Sequence, residues 1–168
     1  MLIRPAREAD LPAILAIYNQ GIEDRIATLE TEPKDLAYMT AWLTGRAPHH
    51  AVLVAERPDG LIAGWASINP YNARCAYRGV GELSIYIHRE HRGQRVGQRL
   101  LDALEAEGRR GGFHKFVLFT FPFNALGQGL YRKKGYRVVG TFHEQGMLDG
   151  RHVDVMAMEK ILAASPQP

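Results

Sequence analysis

The sequence predicts an α/β domain of the α+β type, with a mixed central sheet of about six to seven strands flanked by about four helices. Three observations predict it. Runs of strand-like apolar residues alternate with runs at helical spacing along the 168 residues. Pro58-Asp59-Gly60 and Asp149-Gly150 each separate two strand-like runs, which marks two antiparallel hairpins. Between the hairpins, a strand, a helix and a strand follow one another, and two strands joined by a helix run parallel.

The elements follow in order. Leu2-Ile3-Arg4 is a short apolar start. Asp10 is placed to cap a helix with Pro12 in its first turn, and Ile14, Leu15, Tyr18 and Ile22 repeat at helical spacing. A second helix is expected from about Pro33 to Leu43, with Leu36, Met39, Trp42 and Leu43 in register. Ala51–Ala55 and Leu61–Ala66 form the first hairpin, and Asn69-Pro70-Tyr71-Asn72 reads as a loop. Val80–His88 is a strand, Val96, Leu100, Leu101 and Leu104 make a helical stripe, and Gly108 to Gly112 end it. Lys115–Phe121 reads as a buried strand, Asn124–Lys134 as a short helix stopped at Gly135, and Tyr136–Thr141 and Val153–Met158 as the last two strands. One domain over residues 1–162 is expected, with a frayed tail at 163–168.

Composition narrows the function classes. The net charge is +3, and the single Cys75 excludes an internal disulfide and a cysteine-based zinc cluster. Cys75 is expected simply to pack. These features, with no apolar leader and no run long enough to span a bilayer, fit a cytoplasmic protein with no membrane partner. Arg89, Arg92, Arg95 and Arg99 are crowded into one short stretch. They suggest a compact anionic ligand, with a solvated basic loop as the alternative. No aromatic residue is interleaved among them, which argues against nucleic acid. His88 and His91 lack a third ligand, so no metal is expected.

Two features carry chemistry. In the strand Val80–His88, Leu83, Ile85 and Ile87 share one apolar face, while Glu82, Ser84, Tyr86 and His88 share the other. Glu82 then either meets solvent, pairs with an arginine, or sits half-desolvated with its pKa raised as a general base. Next, Arg92-Gly93-Gln94-Arg95-Val96-Gly97 lies where a strand ends and a helix begins. Unpaired N–H groups and the helix dipole at such a junction bind anions, and glycine permits close approach. It is neither a Walker A loop nor a dinucleotide fingerprint. Trp42 and Trp65 suit either core or a substrate wall.

Together with Asn124, Tyr131 and Gly135-Tyr136, this order resembles the GCN5-related N-acetyltransferase (GNAT) superfamily over nearly the whole chain. The resemblance implies that the turn, of the form Arg/Gln-x-x-Gly-x-Gly/Ala, cradles the pyrophosphate of acetyl-CoA through Arg92 to Gly97 and Gln98. Tyr86 and Ile87 would line the thioester, and Asn124 and Tyr131 would face the pantetheine and thiol. This sequence departs from the pattern at Arg95, where the turn has glycine. The backbone there can still donate if its φ stays negative.

Tyr71-Asn-Ala-Arg74-Cys-Ala-Tyr77, followed by Gly81-Glu82, is similar to the phosphinothricin, methionine-sulfone and arsinothricin N-acetyltransferase branch, as are Tyr18–Asp24 and Thr31-Glu32-Pro33. That likeness implies acetylation of the α-amino group of a small amino-acid-like substrate. Glu82 would be general base, Arg74 and Tyr77 would bind substrate, Tyr131 would protonate the leaving thiolate, and the protein would be a homodimer. The alternatives are another amine, such as a protein N-terminus or polyamine, and a non-catalytic acyl-CoA-binding module.

Overall fold

The computed structural model describes residues 1–162, so the tail expected at 163–168 lies outside the described residues. The strands are β1 (Leu2–Pro5), β2 (Val52–Glu56), β3 (Ile62–Pro70), β4 (Val80–Ile87), β5 (Lys115–Thr120), β6 (Arg137–Leu148) and β7 (Arg151–Ile161). The helices are α1 (Leu11–Glu23), α2 (Leu36–Thr44), α3 (Val96–Arg110) and α4 (Ala125–Lys133). All seven strands form one sheet in the order β1-β2-β3-β4-β5-β7-β6. Among the described residues only the β4–β5 pairing is parallel, as the strand–helix–strand order requires.

α3 covers one face of the sheet. Its stripe of Val96, Leu100, Leu101 and Leu104 is buried against Leu53, Ala66, Leu83, Phe116 and Leu118. Each such side chain contributes about 1.5–3 kcal/mol on burial. Leu83, Ile85 and Ile87 of β4 face this core, as alternation predicts. α1 and α2 pack on the opposite face, where Ile14, Ile17 and Met39 meet Val52, Val54 and Trp65. At the last hairpin Asp149 and Gly150 take φ of 49° and 75°, the paired positive values of a tight β-turn that pairs Leu148 with Arg151.

Four local readings change. Asp10 does not cap α1: its carboxylate accepts from the Arg4 guanidinium at 2.7 and 2.8 Å and from the Arg7 N–H at 2.7 Å. α2 starts later than expected because Asp35 is its cap, accepting from the Tyr38 N–H at 2.8 Å. β3 runs on through Asn69 and Pro70 rather than ending at Ala66, pairing Asn69 with Glu82 and Pro70 with Gly81. Cys75 is exposed rather than packed, in a short 3₁₀ turn at Cys75–Tyr77.

Candidate active site

The site begins with a gap in the sheet. β4 and β5 pair only from Val80 to Glu82 and from Lys115 to Val117, and then part. β5 stays paired with β7 up to Thr120, while β4 stays paired with β3 up to Ile87. The His88 N–H donates to the Ala63 carbonyl at 2.9 Å. Strand alternation therefore turns the N–H groups of Ile87 and Ile85 to the opposite edge, into the gap. The Arg92 Nε donates to the Ile87 carbonyl at 3.3 Å on that same edge.

Two connected cavities occupy this gap. One, of about 330 Å³, is lined by Glu82, Ser84 and Tyr86 of β4, by Tyr18, by the segment Ala27 to Glu30, and by Thr120 and Asn124. The other, of about 380 Å³, is lined by Ile87, Arg92, Gly93, Arg95, Val96, Gly97 and Gln98 together with α4. Ala27, Ile85, Tyr86, Asn124 and Tyr131 line both, so the two form a continuous cleft. The segment after α1 is tied over it: Arg25 donates to the carbonyls of Ile22 and Thr31, and the Asn19 amide exchanges two hydrogen bonds with the Lys34 backbone at 2.9 and 3.0 Å.

Glu82 has no ion pair and no hydrogen bond among the described residues, and burial raises its carboxyl above the usual carboxylate range. Of the three readings the sequence left open, the half-desolvated one describes its surroundings. Tyr131 is buried at 8 % exposure, and burial lifts its phenol to about 12. Its hydroxyl makes no hydrogen bond among the described residues.

The basic turn differs from expectation in an informative way. Gly93 has φ 74°, and Arg95 has φ 63° and ψ 13°, so the arginine takes the left-handed conformation that glycine adopts without cost. The condition of negative φ set for backbone donation at Arg95 is thus not met, and the left-handed turn itself orients the donors. Left-handed residues set among ordinary ones turn successive N–H groups into one concavity, a nest for anions. α3 follows with no side-chain cap at Arg95, leaving the N–H groups of Val96, Gly97 and Gln98 without a partner among the described residues. Those donors fit a pyrophosphate. Gly97 brings α3 against α4, since a Cβ there would lie 2.9 Å from Leu130.

The arginine cluster is partly neutralised. Arg92 pairs with Asp24 at 2.5 Å, and Arg89 pairs with Glu23 and Asp24 at 2.9 and 2.8 Å. Burial alone would raise the Asp24 carboxyl, but the two guanidinium groups hold it low. Arg99 donates to the Met1 carbonyl, and neither Arg99 nor Arg95, both exposed, has an ion pair among the described residues. Gln94 points back to the Glu90 carbonyl at 2.8 Å and does not line the cleft. Asn124 has a second task as cap of α4, accepting from the Gly127 N–H at 3.0 Å.

Arg74 and Tyr77 do not line the cleft. Both are exposed in the connection between β3 and β4, which leaves and re-enters the sheet at the Glu82 end. Tyr77 packs edge-on against Tyr71 there, with centroids 5.5 Å apart. Sequence reasoning missed Thr28, which lines the cleft, and Asn69, which donates to the cleft residue Ser84 and accepts from Arg46. The alternation of Ser67 and Asn69 with Ala66 and Ile68 carried the signal for Asn69. Among the described residues no group of three or more His, Cys, Asp or Glu side chains is placed to hold a metal ion. No described helix is long and apolar enough to cross a membrane.

A gap between parted parallel strands, a half-buried carboxylate at one end and an N–H nest at the other fit an acyl-coenzyme-dependent transferase. The chain belongs to the acetyltransferase (GNAT) family, whose model matches residues 14–136. It is 36% identical over 158 residues to the L-methionine sulfoximine/L-methionine sulfone acetyltransferase of Pseudomonas aeruginosa, covering 94% of this chain and 92% of that one. The ribosomal-protein-alanine N-acetyltransferase structure from Brucella melitensis superposes with a TM-score of 0.93 at 38% identity, covering 96% of this chain and 100% of that one. A phosphinothricin acetyltransferase from Sinorhizobium meliloti, in complex with acetyl-CoA, superposes at 0.91 and 27% identity, covering 99% and 91%. The protein is an acetyl-CoA-dependent N-acetyltransferase with a seven-stranded fold of this family.

Proposed function

We propose that this enzyme acetylates the α-amino group of a small amino acid carrying a tetrahedral oxo group on its side chain, of the methionine sulfone or phosphinothricin type. The observation that carries this reading is Glu82: a half-buried carboxylate, unpaired among the described residues, at the end of the cleft remote from the anion nest. The bound coenzyme supplies an activated acetyl group as its thioester. The N–H groups from Gly93 to Gln98 hold the pyrophosphate, and Arg95 adds a charge beside it.

An α-ammonium cannot attack a carbonyl, so Glu82 takes its proton, directly or through one water, to free the amine. The Ile85 and Ile87 N–H groups polarise the thioester oxygen from the open edge of β4. Tyr131 remains protonated at neutral pH, because its phenol lies near 12. A phenol that weak does not surrender its proton fully to a thiolate of ordinary basicity. Its part as general acid is therefore hydrogen-bond donation to the developing thiolate. Arg74 and Tyr77 serve at the rim, where Arg74 meets the substrate carboxylate. The enzyme acts in the cytoplasm as a homodimer.

The test is release of free CoA from acetyl-CoA with methionine sulfone, phosphinothricin and arsinothricin at matched concentrations. Turnover with these and none with polyamines or an alanine-terminated peptide is the expected result. The reverse pattern would assign a protein or polyamine substrate instead.

A further inference from the structure

A third cavity, of about 180 Å³, lies between the sheet and α1–α2, and its lining includes Tyr18, Ser84 and Tyr86, which also line the cleft around Glu82. Sheet register explains its position. Asn69 stands opposite Glu82, Ser67 opposite Ser84 and Trp65 opposite Tyr86, so these six side chains share one face of the sheet. The cavity therefore opens beside the carboxylate that meets the amine. At about 30 Å³ per water-sized group, it accepts roughly six heavy atoms, the size of a modest side chain.

Its walls are aromatic and its floor polar. Trp65 stacks on Tyr86 at 4.8 Å and packs edge-on to Trp42 and Tyr18 at 5.4 and 5.9 Å. On the floor, the Asn69 amide donates to the Ser84 hydroxyl oxygen at 3.0 Å. The Asn69 carbonyl oxygen accepts from Ser67 at 3.1 Å and from Arg46 at 3.0 Å. Arg46 also donates to the carbonyls of His50 and Ile68 and lies over the Trp42 ring at 4.5 Å. No carboxylate pairs with Arg46 among the described residues, and burial lowers its guanidinium to about 10, still charged at neutral pH.

Two consequences follow from these bonds. Arg46 and Ser67 fix the Asn69 amide so that its NH₂ side faces Ser84. Ser84 accepts that bond, and its own O–H finds no acceptor among the described residues. The second Asn69 N–H is likewise without an acceptor. The floor thus presents hydrogen-bond donors backed by an uncompensated positive charge, the complement of an oxygen-rich, acidic or strongly dipolar group.

On the amino-acid reading above, we infer that this cavity is the side-chain subsite, and that Ser84 and Asn69, held by Arg46, select substrates by their sulfonyl or phosphinyl oxygens. Trp65, Trp42 and Tyr18 enclose the methylene and methyl groups. A thioether of equal length fills the same box but leaves the donors unmet, and sites built around polar donors discriminate against such analogues.

The experiment compares methionine sulfone with methionine, which share the backbone and chain length and differ in two oxygens. The wild type is expected to prefer the sulfone in kcat/KM. Ser84→Ala and Asn69→Ala should each lower the sulfone-to-methionine ratio about fivefold, and Arg46→Met should lower it through the Asn69 amide it orients. An unchanged ratio in both Ser84→Ala and Asn69→Ala, or an equal loss with both substrates, would overturn the subsite. Calorimetric binding of methionine sulfone to Glu82→Gln protein separates this inference from the reading it rests on. Binding that weakens with Ser84→Ala while no amino acid is turned over would keep the subsite and sink the acetylation of amino acids. No binding of the sulfone at all would sink both.

Discussion

Arg95 is the residue at which sequence and backbone geometry disagree most usefully. An L-residue in the left-handed region costs about 1 kcal/mol or more, which glycine avoids. The arginine nevertheless takes it, since φ 63° is what closes the turn ahead of Val96. Arg95→Gly and Arg95→Ala remove the same charge, but only alanine keeps the strain. The glycine variant should be the more stable by about 1 kcal/mol in urea unfolding, and both should bind acetyl-CoA more weakly, with a shallower salt dependence. Glu82 makes the second prediction at this scale. Burial raises its pKa, so the rise of kcat/KM with pH should begin above the ordinary carboxylate range. Glu82→Gln should lower kcat/KM about 10²-fold or more and remove that limb, while acetyl-CoA binding is retained. The sign for stability is opposite. A carboxylate whose folded pKa is raised favours the folded state below its unfolded pKa and loses that contribution as pH climbs through the folded one. Glu82→Gln should therefore unfold at higher urea than the wild type at pH 7, with the gain vanishing in acid.

At the scale of the elements, α3 shows how packing overrides propensity. Gly108 sits near the end of a helix, where alanine would ordinarily gain about 1 kcal/mol. A Cβ there would overlap the Phe116 ring, and that ring is fully buried in the core. Overpacking of this kind costs about 1–3 kcal/mol, so Gly108→Ala should lose stability in urea unfolding despite its better propensity. A gain in midpoint would show that Phe116 yields freely. Nearly every element was legible because its signal was local: the α3 stripe, the Asp149-Gly150 turn and the alternation in β4. What misled was also local. Asn69-Pro70 carries turn chemistry, yet Pro70 closes β3 opposite Gly81, and the strand it ends places Asn69 across from Glu82. Asp10 has the right residue type for a cap, but Arg4, on the strand before the helix, outcompetes the helix N–H groups for its oxygens. β6 continues past Phe142 through an irregular stretch in which Glu144 takes φ 49°. Polar residues without alternation gave no sign of that.

Over the whole molecule, the site arises from the parting of β4 and β5, a relation between strands far apart in sequence, and no single segment encodes it. The carboxylate and the basic turn could be picked out beforehand, whereas the fused cavities, the half-buried setting of Glu82 and the absence of Arg74 from the lining are properties of the assembled sheet. The same long-range character governs acid stability. Arg4 on edge strand β1 bonds both Asp10, ahead of α1, and Glu56 at the end of β2, so one guanidinium ties helix entry to sheet edge. The pair is mostly buried, with Arg4 15% and Asp10 8% exposed as side chains. The Arg4 hydrogen bonds are the main cause that holds the Asp10 carboxyl below its usual range, and the Arg7 N–H adds to them. A depressed folded pKa means that the stabilisation is present above the unfolded value of about 3.9 and is lost as pH falls through the folded one. Replacing one partner of a largely buried pair leaves the other charge undercompensated, at a cost of about 3 kcal/mol. Asp10→Asn should therefore unfold at distinctly lower urea than the wild type at pH 7, and the two curves should converge as pH drops below about 3.9. A difference that persisted undiminished in acid would mean that Asp10 acts through packing and the Arg7 N–H rather than through its charge.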